Sequence, residues 1–299
     1  MSKNILVDLS DALAEAAERA GDSTVLVNAR RRIPASGIVY ADDLILTANH
    51  VVERDEDISV ALPDGTELSA TVAGRDPGSD LALLKLEQVS ATPAGPAKTP
   101  ARVGQIALAL GRPSKAGIEA SLGTVSAIGG PFRTHHGGMI ERYLRTDSIP
   151  YPGFSGGPLV AADGTVLGLN TSGLTRGAAI TIPTDIAWGV AETLSKHGHI
   201  RRGYLGIRSQ TVKIPANAQK AIHREQASGL LVVGVEDGSP AAEGGLMVGD
   251  ILVGVSGSPV MSHDELFARL TGEVIGVSTP IDILRGGQPQ TVEIVIGER

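Results

Sequence analysis

Tyr151–Val160 reads YPGFSGGPLV: a single serine, Ser155, with Gly153, Gly156 and Gly157 around it and the bulky Phe154 directly before it. Glycine loses more backbone entropy than any other residue when it is fixed. A cluster therefore marks a turn, a left-handed position or a backbone that something approaches closely. The pattern GFSGG formally matches G-x-S-x-G, the nucleophile elbow of α/β-hydrolases. That elbow needs a helix after the serine, with the acid and the histidine later in the chain. Here GGPLVAADGTVLGLN follows, a β-hairpin pattern with Asp163-Gly164 at its tip. The surroundings of the serine are those of a β protein, and its partners are to be sought upstream.

The opposite order, histidine then aspartate then serine, is available. LILTANHVV places His50 just after an apolar strand, and DPGSDLALLKL places Asp80 at the head of another. A serine hydroxyl is a poor nucleophile until a base removes its proton, and an imidazole does so only when a carboxylate holds the right tautomer. His50 is thus the candidate base, Asp80 its orienter and Ser155 the attacking group. The glycines then acquire a purpose, because the N–H groups of Gly153 and Ser155 can face the developing oxyanion if the chain turns sharply there.

From Ser23 to about Asn170 short apolar or alternating runs are separated by turn signals, including STVLVNA, GIVYADDLILTANHVV, IALALG and GTVSAIG. Asp64-Gly65 and Asp163-Gly164 are hairpin signals. Such spacing predicts a mainly β sandwich or barrel. The stretch Gln88 to Arg102, rich in Pro and Ala, reads as a surface excursion within the first domain.

Three helices are predicted. In the N-terminal one Ser10 caps the start, Leu9, Leu13, Ala16 and Ala20 share a face, and Gly21 ends it. PTDIAWGVAETLSKHG closes the first domain, with Thr184 as cap, Ile186, Val190 and Leu194 on one side and Gly198 after the end. In SHDELFARL, Ser262 and Glu265 form a capping box, and Leu266, Phe267 and Leu270 face inward. The expected domains are residues 1–21, the N-terminal amphipathic helix, then 22–200 and 201–299.

At 299 residues, with 42% hydrophobic and 20% charged, the chain is long enough for two globular cores. A net charge of −7 argues against a general nucleic-acid binder, because phosphate binding needs a basic face. Short basic runs such as ARRR, Ala29–Arg32, read as solvated surface. The absence of cysteine excludes disulfides and thiolate chemistry. No apolar run approaches the roughly 18 residues of a membrane span. Acidic residues interrupt the N-terminal segment, which lacks the apolar core of a secretory signal, so the chain as it stands reads as cytoplasmic. His135 and His136 have no third ligand at suitable spacing and read as a loop rather than a metal site.

With those residues in hand, the chain resembles the HtrA/Deg family of chymotrypsin-like serine proteases that carry a PDZ domain. The matching segments are LTANHVV, DPGSDLALLKL, LRTDSIPYPGFSGGPLV, AAITIPTDIA and RRGYLGI, in the family's order across about nine tenths of the chain. The resemblance implies a double β-barrel protease with His50, Asp80 and Ser155 at the cleft between barrels. It would cleave unfolded or specific protein substrates without ATP or a cofactor. The specificity pocket is expected from Ile149 and from Ala178, Ala179 and Ile180. No acid appears there, so cleavage after small or medium aliphatic residues is expected.

In the second domain YLGI, Tyr204, Leu205, Gly206 and Ile207, resembles the carboxylate-binding loop of PDZ domains. Beside the helix HDELFARL it would let an extended peptide add a strand. Family members commonly form trimers through the protease domain, often using aromatic residues near the N-terminus, so the resemblance implies a homo-trimer, although no aromatic precedes Tyr40 here. Relatives are typically exported, so a removed signal and a periplasmic location is the alternative to the cytoplasm. The chain also departs from the family pattern, which commonly has asparagine where Tyr151 and Phe154 stand. The ring of Phe154 either narrows the leaving-group side of the cleft or marks a different resting loop. The competing reading is a holdase or scaffold that binds unfolded chains with little turnover.

Overall fold

A computed structural model of the chain describes residues 4–87, 92–134, 138–175, 179–200, 203–222, 224–270 and 274–298. It divides into two compact units, 1–200 and 201–299. The first unit opens with α1 (Ile5–Gly21) and continues with six strands: β1 (Thr24–Asn28), β2 (Ala35–Ala41), β3 (Leu44–Ala48), β4 (Ile58–Ala61), β5 (Glu67–Asp76) and β6 (Leu81–Leu86). These close into a barrel in the order β1-β2-β3-β6-β5-β4.

A second run follows: β7 (Ile106–Ser114), β8 (Gly117–Gly129), the short pair β9 (Phe132–Arg133) and β10 (Met139–Ile140), then β11 (Tyr143–Thr146), β12 (Pro158–Ala161), β13 (Val166–Thr171) and β14 (Ile180–Pro183). Six of these close a second barrel in the order β11-β14-β13-β12-β7-β8. Counted from its own first strand, the second barrel repeats the connectivity of the first, although the sequence shows no repeat. Two antiparallel barrels in tandem are the chymotrypsin-like architecture.

Alternation sets the barrels. Val25, Val27, Val39, Ile45, Val60 and Leu84 share one face of the paired strands and are buried, and closure leaves no open strand edge. The Asp64-Gly65 and Asp163-Gly164 turns join β4 to β5 and β12 to β13 as the sequence predicts. The described part of the Pro/Ala-rich stretch is more than an excursion. Ala94 N–H donates to Val39 O and Ala97 N–H to Val166 O, so it passes from one barrel to the other as their connection.

Helix α2 (Thr184–His197) packs on the barrels through Ala187, Ala191 and Leu194, and ends where Gly198 adopts φ +76°. Thr184 does not cap it. That residue already lies in the helix, and its hydroxyl donates to Val166 O. Likewise Asn4, not Ser10, caps α1, accepting from Leu6 N–H at 3.2 Å. The side-chain oxygen of Asn4 reaches the orphan amides of the first turn, so the helix starts six residues earlier than the Ser10 reading allowed. Ala16, Ala20 and Gly21 are buried against the barrels, while Leu9 stays 40% exposed.

The second unit contains β15 (Gly203–Tyr204), β16 (Ile207–Lys213), α3 (Ala216–Ala221), β17 (Ser228–Val235), α4 (Pro240–Glu243), β18 (Ile251–Val255), β19 (Ser258–Pro259), α5 (His263–Arg269), β20 (Ser278–Arg285), β21 (Gln288–Val295) and β22 (Gly297–Glu298). Its main sheet runs β16-β17-β18-β20-β21, leaving β16 at an edge. Ser262 caps α5, accepting from Glu265 N–H, but the Glu265 carboxylate accepts from Met261 N–H rather than closing the box on Ser262. Leu266 and Leu270 are buried as expected. Phe267 is not; it is 38% exposed, because Leu266 and Leu270, four apart, share one face of the helix while Phe267 lies about 100° round from Leu266. Among the described residues no helix is long and apolar enough to cross a membrane.

Candidate active site

His50 sits in a single 3₁₀ turn, Asn49–Val51, directly after β3. Arg75 holds the chain beyond that turn, with Nη1 donating to Val52 O and Nη2 to Arg54 O. Asp80 is presented by the turn DPGS, in which Asp76 accepts from Gly78 and Ser79 N–H groups. Asp80 itself has φ +56°, a left-handed conformation that asparagine and aspartate tolerate better than most residues. Strain at a single residue persists when its surroundings over-determine it. Here one carboxylate oxygen accepts from His50 N–H at 2.8 Å, and the other lies 2.8 Å from His50 Nδ1 and accepts from the Thr171 hydroxyl.

An ionised carboxylate only accepts, so Nδ1 carries the proton and Nε2 keeps its lone pair in the neutral ring. Asp80 is 3% exposed, whereas the His50 side chain is 31% exposed and reaches the cleft. Gly173 permits this approach: a Cβ there would lie 2.5 Å from Asp80 Oδ2 and 2.6 Å from His50 Nδ1.

Ser155 lies on the loop between β11 and β12. Gly153 has φ +91°, and a Cβ on it would meet Pro113 and the carbonyl oxygen of Pro34, so only glycine fits. Ser36 on β2 binds this loop twice, its hydroxyl donating to Gly153 O at 2.7 Å and its N–H to Ser155 O at 3.2 Å. Among the described residues the N–H groups of Gly153 and Ser155 have no acceptor. His50 and Ser155 line one cavity of about 520 Å³, together with Gly153, Ser172 and Ala179. No hydrogen bond joins His50 to Ser155; the Ser155 hydroxyl lies 3.2 Å from that of Ser172.

Phe154 is buried rather than projecting into solvent. It is 1% exposed, packs with Leu159 and Leu167 in the second barrel, and stacks edge-on against Tyr151 at 5.4 Å. Gly111 on β7 leaves the room: a Cβ there would lie 2.5 Å from the ring. The ring is driven inward by burial of apolar surface, and it fills a hole in the barrel at the floor of the cleft and of its adjoining pocket.

The adjoining pocket, about 240 Å³, is lined by Ala179 and Ile180 together with Ala109, Phe154 and Asn170. Ile149 is not part of it. It is 59% exposed, because its N–H is tied to the Ser121 hydroxyl on β8. Ala178, His135 and His136 lie outside the described residues. Sequence reasoning missed Ser36, Thr171, Ser172 and Arg145, which also lines the pocket. It also placed Arg30 and Arg32 on plain surface, whereas both line the cleft, because the short turn between β1 and β2 folds over it.

The loop 204–207 of the second unit is formed. Tyr204 hydroxyl donates to the Glu236 carboxylate, Leu205 is 3% exposed, Gly206 O accepts from Glu236 N–H and Ile207 begins β16. Across from β16, His263 at the start of α5 meets Ser209 Oγ at 3.0 Å.

Residues 35–169 match the family model of a trypsin-like peptidase domain, and residues 203–296 match that of a PDZ domain. The serine endoprotease from Yersinia pestis superposes with a TM-score of 0.79 at 31% identity, over 96% of this chain and 98% of that one. The chain belongs to the HtrA/Deg family. Another HtrA-type structure, the protease AlgW with a decapeptide, gives a TM-score of 0.78 at 27% identity, covering 96% of this chain and 98% of the other. The periplasmic pH-dependent serine endoprotease DegQ of Escherichia coli K12 is 33% identical over 296 residues, 97% of this HtrA/Deg chain and 62% of that protein. A probable periplasmic serine endoprotease, DegP-like, of Pseudomonas putida GB-1 is 34% identical over 267 residues, 87% of this chain. The chain spans 55% of that relative's length.

Proposed function

We propose that this HtrA/Deg protein is a serine endopeptidase that hydrolyses peptide bonds in unfolded or specific protein substrates, with Ser155 as nucleophile, His50 as general base and Asp80 as its orienter. The observation that carries the reading is the 2.8 Å contact of His50 Nδ1 with Asp80 on the same cavity wall as Ser155. His50 Nε2 takes the Ser155 proton as Oγ adds to the scissile carbonyl, and returns it to the leaving amine; water then hydrolyses the acyl-enzyme by the same steps. The unpartnered N–H groups of Gly153 and Ser155 receive the oxyanion. Rotation of the Ser155 side chain away from Ser172 precedes attack, in keeping with catalytic hydrogen bonds that tighten only in the substrate complex.

The residue before the scissile bond enters the pocket of Ala179 and Ile180, where a small or medium aliphatic side chain fits. Arg145 there disfavours a basic one. In the second unit the free edge of β16 beside α5 takes an extended peptide as an added strand, its C-terminal carboxylate at the N–H groups of residues 204–207.

The 3.2 Å contact between Ser155 and Ser172 favours a second reading, a chain-binding scaffold with an idle nucleophile. Fluorophosphonate labelling of wild type and Ser155→Ala, paired with digestion of an unfolded protein, separates the two. Labelling and digestion that disappear in the variant support the peptidase; neither occurring under any condition supports the scaffold.

A further inference from the structure

The cleft around Ser155 is lined by two guanidinium groups, Arg30 and Arg32, and by no carboxylate among the described residues. This is unusual for a chain of net charge −7. Asp80 stands behind His50 with its oxygens engaged by His50 and Thr171. Arg30 shapes the wall, Nε donating to Ile33 O at 2.6 Å and Nη2 to Pro34 O at 3.4 Å. Arg32 is exposed and has no hydrogen bond or ion pair among the described residues. Burial pushes the Arg30 guanidinium below its ordinary pKa, with the Glu53 charge opposing, so the exposed Arg32 is the cation of this wall that faces solvent.

The two walls differ in what they offer a substrate. Ser172, continuing β13, touches Ser155 on one side, next to the pocket of Ala179 and Ile180. The turn Arg30–Pro34 meets the cleft at Gly153, where a Cβ would lie 2.8 Å from Pro34 O. A chain that places its acyl side along Ser172 therefore carries its leaving side over Ile33 and Arg32. We propose that this wall recognises an acidic side chain just beyond the scissile bond, with Arg32 as the specificity-determining residue. The proposal rests on the peptidase reading for its direction along the substrate, and the cleft's charge alone predicts the preference for an acid. An exposed pair of this kind changes affinity about threefold and weakens with salt.

The test uses the full chain and peptides that differ only in carrying Glu, Gln or Lys in the first two positions after the scissile bond. Cleavage by wild type, Arg32→Gln, Arg32→Lys and Arg32→Glu is compared with binding of the same peptides to Ser155→Ala and to Ser155→Ala carrying each Arg32 change, read by fluorescence anisotropy. Expected is an order Glu above Gln above Lys, each step about threefold. The order is kept by Arg32→Lys, levelled by Arg32→Gln and reversed by Arg32→Glu, and it fades in about 0.5 M salt. An unchanged Glu-to-Gln ratio in Arg32→Gln overturns the proposal. If no protein cleaves any peptide, the peptidase reading fails, and the binding series still decides whether Arg32 reads the acid.

Discussion

Ser36 and Gly153, 117 positions apart, are joined by a 2.7 Å hydrogen bond from the serine hydroxyl to the glycine carbonyl oxygen. The same hydroxyl accepts from Arg112 N–H at 2.8 Å, so one buried side chain on the first barrel fixes both the Ser155 loop and the second barrel's β7. Ser36→Ala leaves the Gly153 carbonyl without this donor. We expect kcat to fall roughly tenfold, about 1.4 kcal/mol, with KM little altered, because the loop's resting geometry rather than substrate affinity is lost. Steady-state kinetics on a peptide substrate checks the split.

Phe154→Ala should lower stability by about 3 kcal/mol, the low end for deleting a buried aromatic ring. The ring is 1% exposed and packs against Gly111 inside the barrel, so Phe154→Asn should leave the preference for residues after the scissile bond unchanged while stability drops. Thermal unfolding and a peptide library report the two effects separately. A changed leaving-side preference with unchanged stability would contradict the buried placement.

Thr171 and Ser172, neighbours at the end of β13, touch opposite members of the candidate site. Thr171 donates to Asp80, and Ser172 meets Ser155. Thr171→Val removes a bond to a buried carboxylate, worth about 1.5–3 kcal/mol, and should cut kcat/KM by at least tenfold. Ser172→Ala frees the Ser155 hydroxyl and, on the proposed reading, should speed fluorophosphonate labelling severalfold. Labelling rates of the two variants moving in the same direction would refute this division of roles.

In the second unit Asp250, 1% exposed, is bound bidentately by Arg285 at 2.8 and 2.7 Å. Burial pushes its carboxyl up, but the Arg285 hydrogen bonds, Met247 N–H and the guanidinium charge together hold it below the ordinary value of 3.8. A depressed folded-state pKa contributes stability that is complete above the unfolded value and is lost as pH falls through 3.8 and on through the folded value. Asp250→Asn should destabilise the unit by about 3 kcal/mol at neutral pH and flatten its acid limb below pH 4. Hydrogen exchange of β18 and β20 in the full chain measures both.

The strands and both Asp-Gly hairpins were legible because alternation and turn chemistry are local. The pairing of His50 with Asp80 was legible as well, since residue type and order suffice to suggest it. What escaped were contacts created by barrel closure. Ser36 sits in an unremarkable strand, ASGIVYA, and only the second barrel gives its hydroxyl a partner. Phe154 drew attention as an oddity beside the serine, yet its destination depended on Gly111, more than forty positions earlier. The basic run ARRR has the composition of a solvated turn; its place on the cleft follows from β1 and β2 bringing that turn over Ser155. Charge and polarity read from sequence locate a residue on the surface without saying which surface.

The unpaired edge of β16 has a further consequence. Backbone donors and acceptors that stay open for a guest strand are equally open to the same strand of another molecule, the usual start of edge-to-edge aggregation. Arg208 and Lys213 stand exposed along that strand, so two copies approaching edge to edge bring like charges together. Colloidal behaviour and the proposed peptide reception thus fall on the same seven residues, and neutralising those two cations should raise self-association.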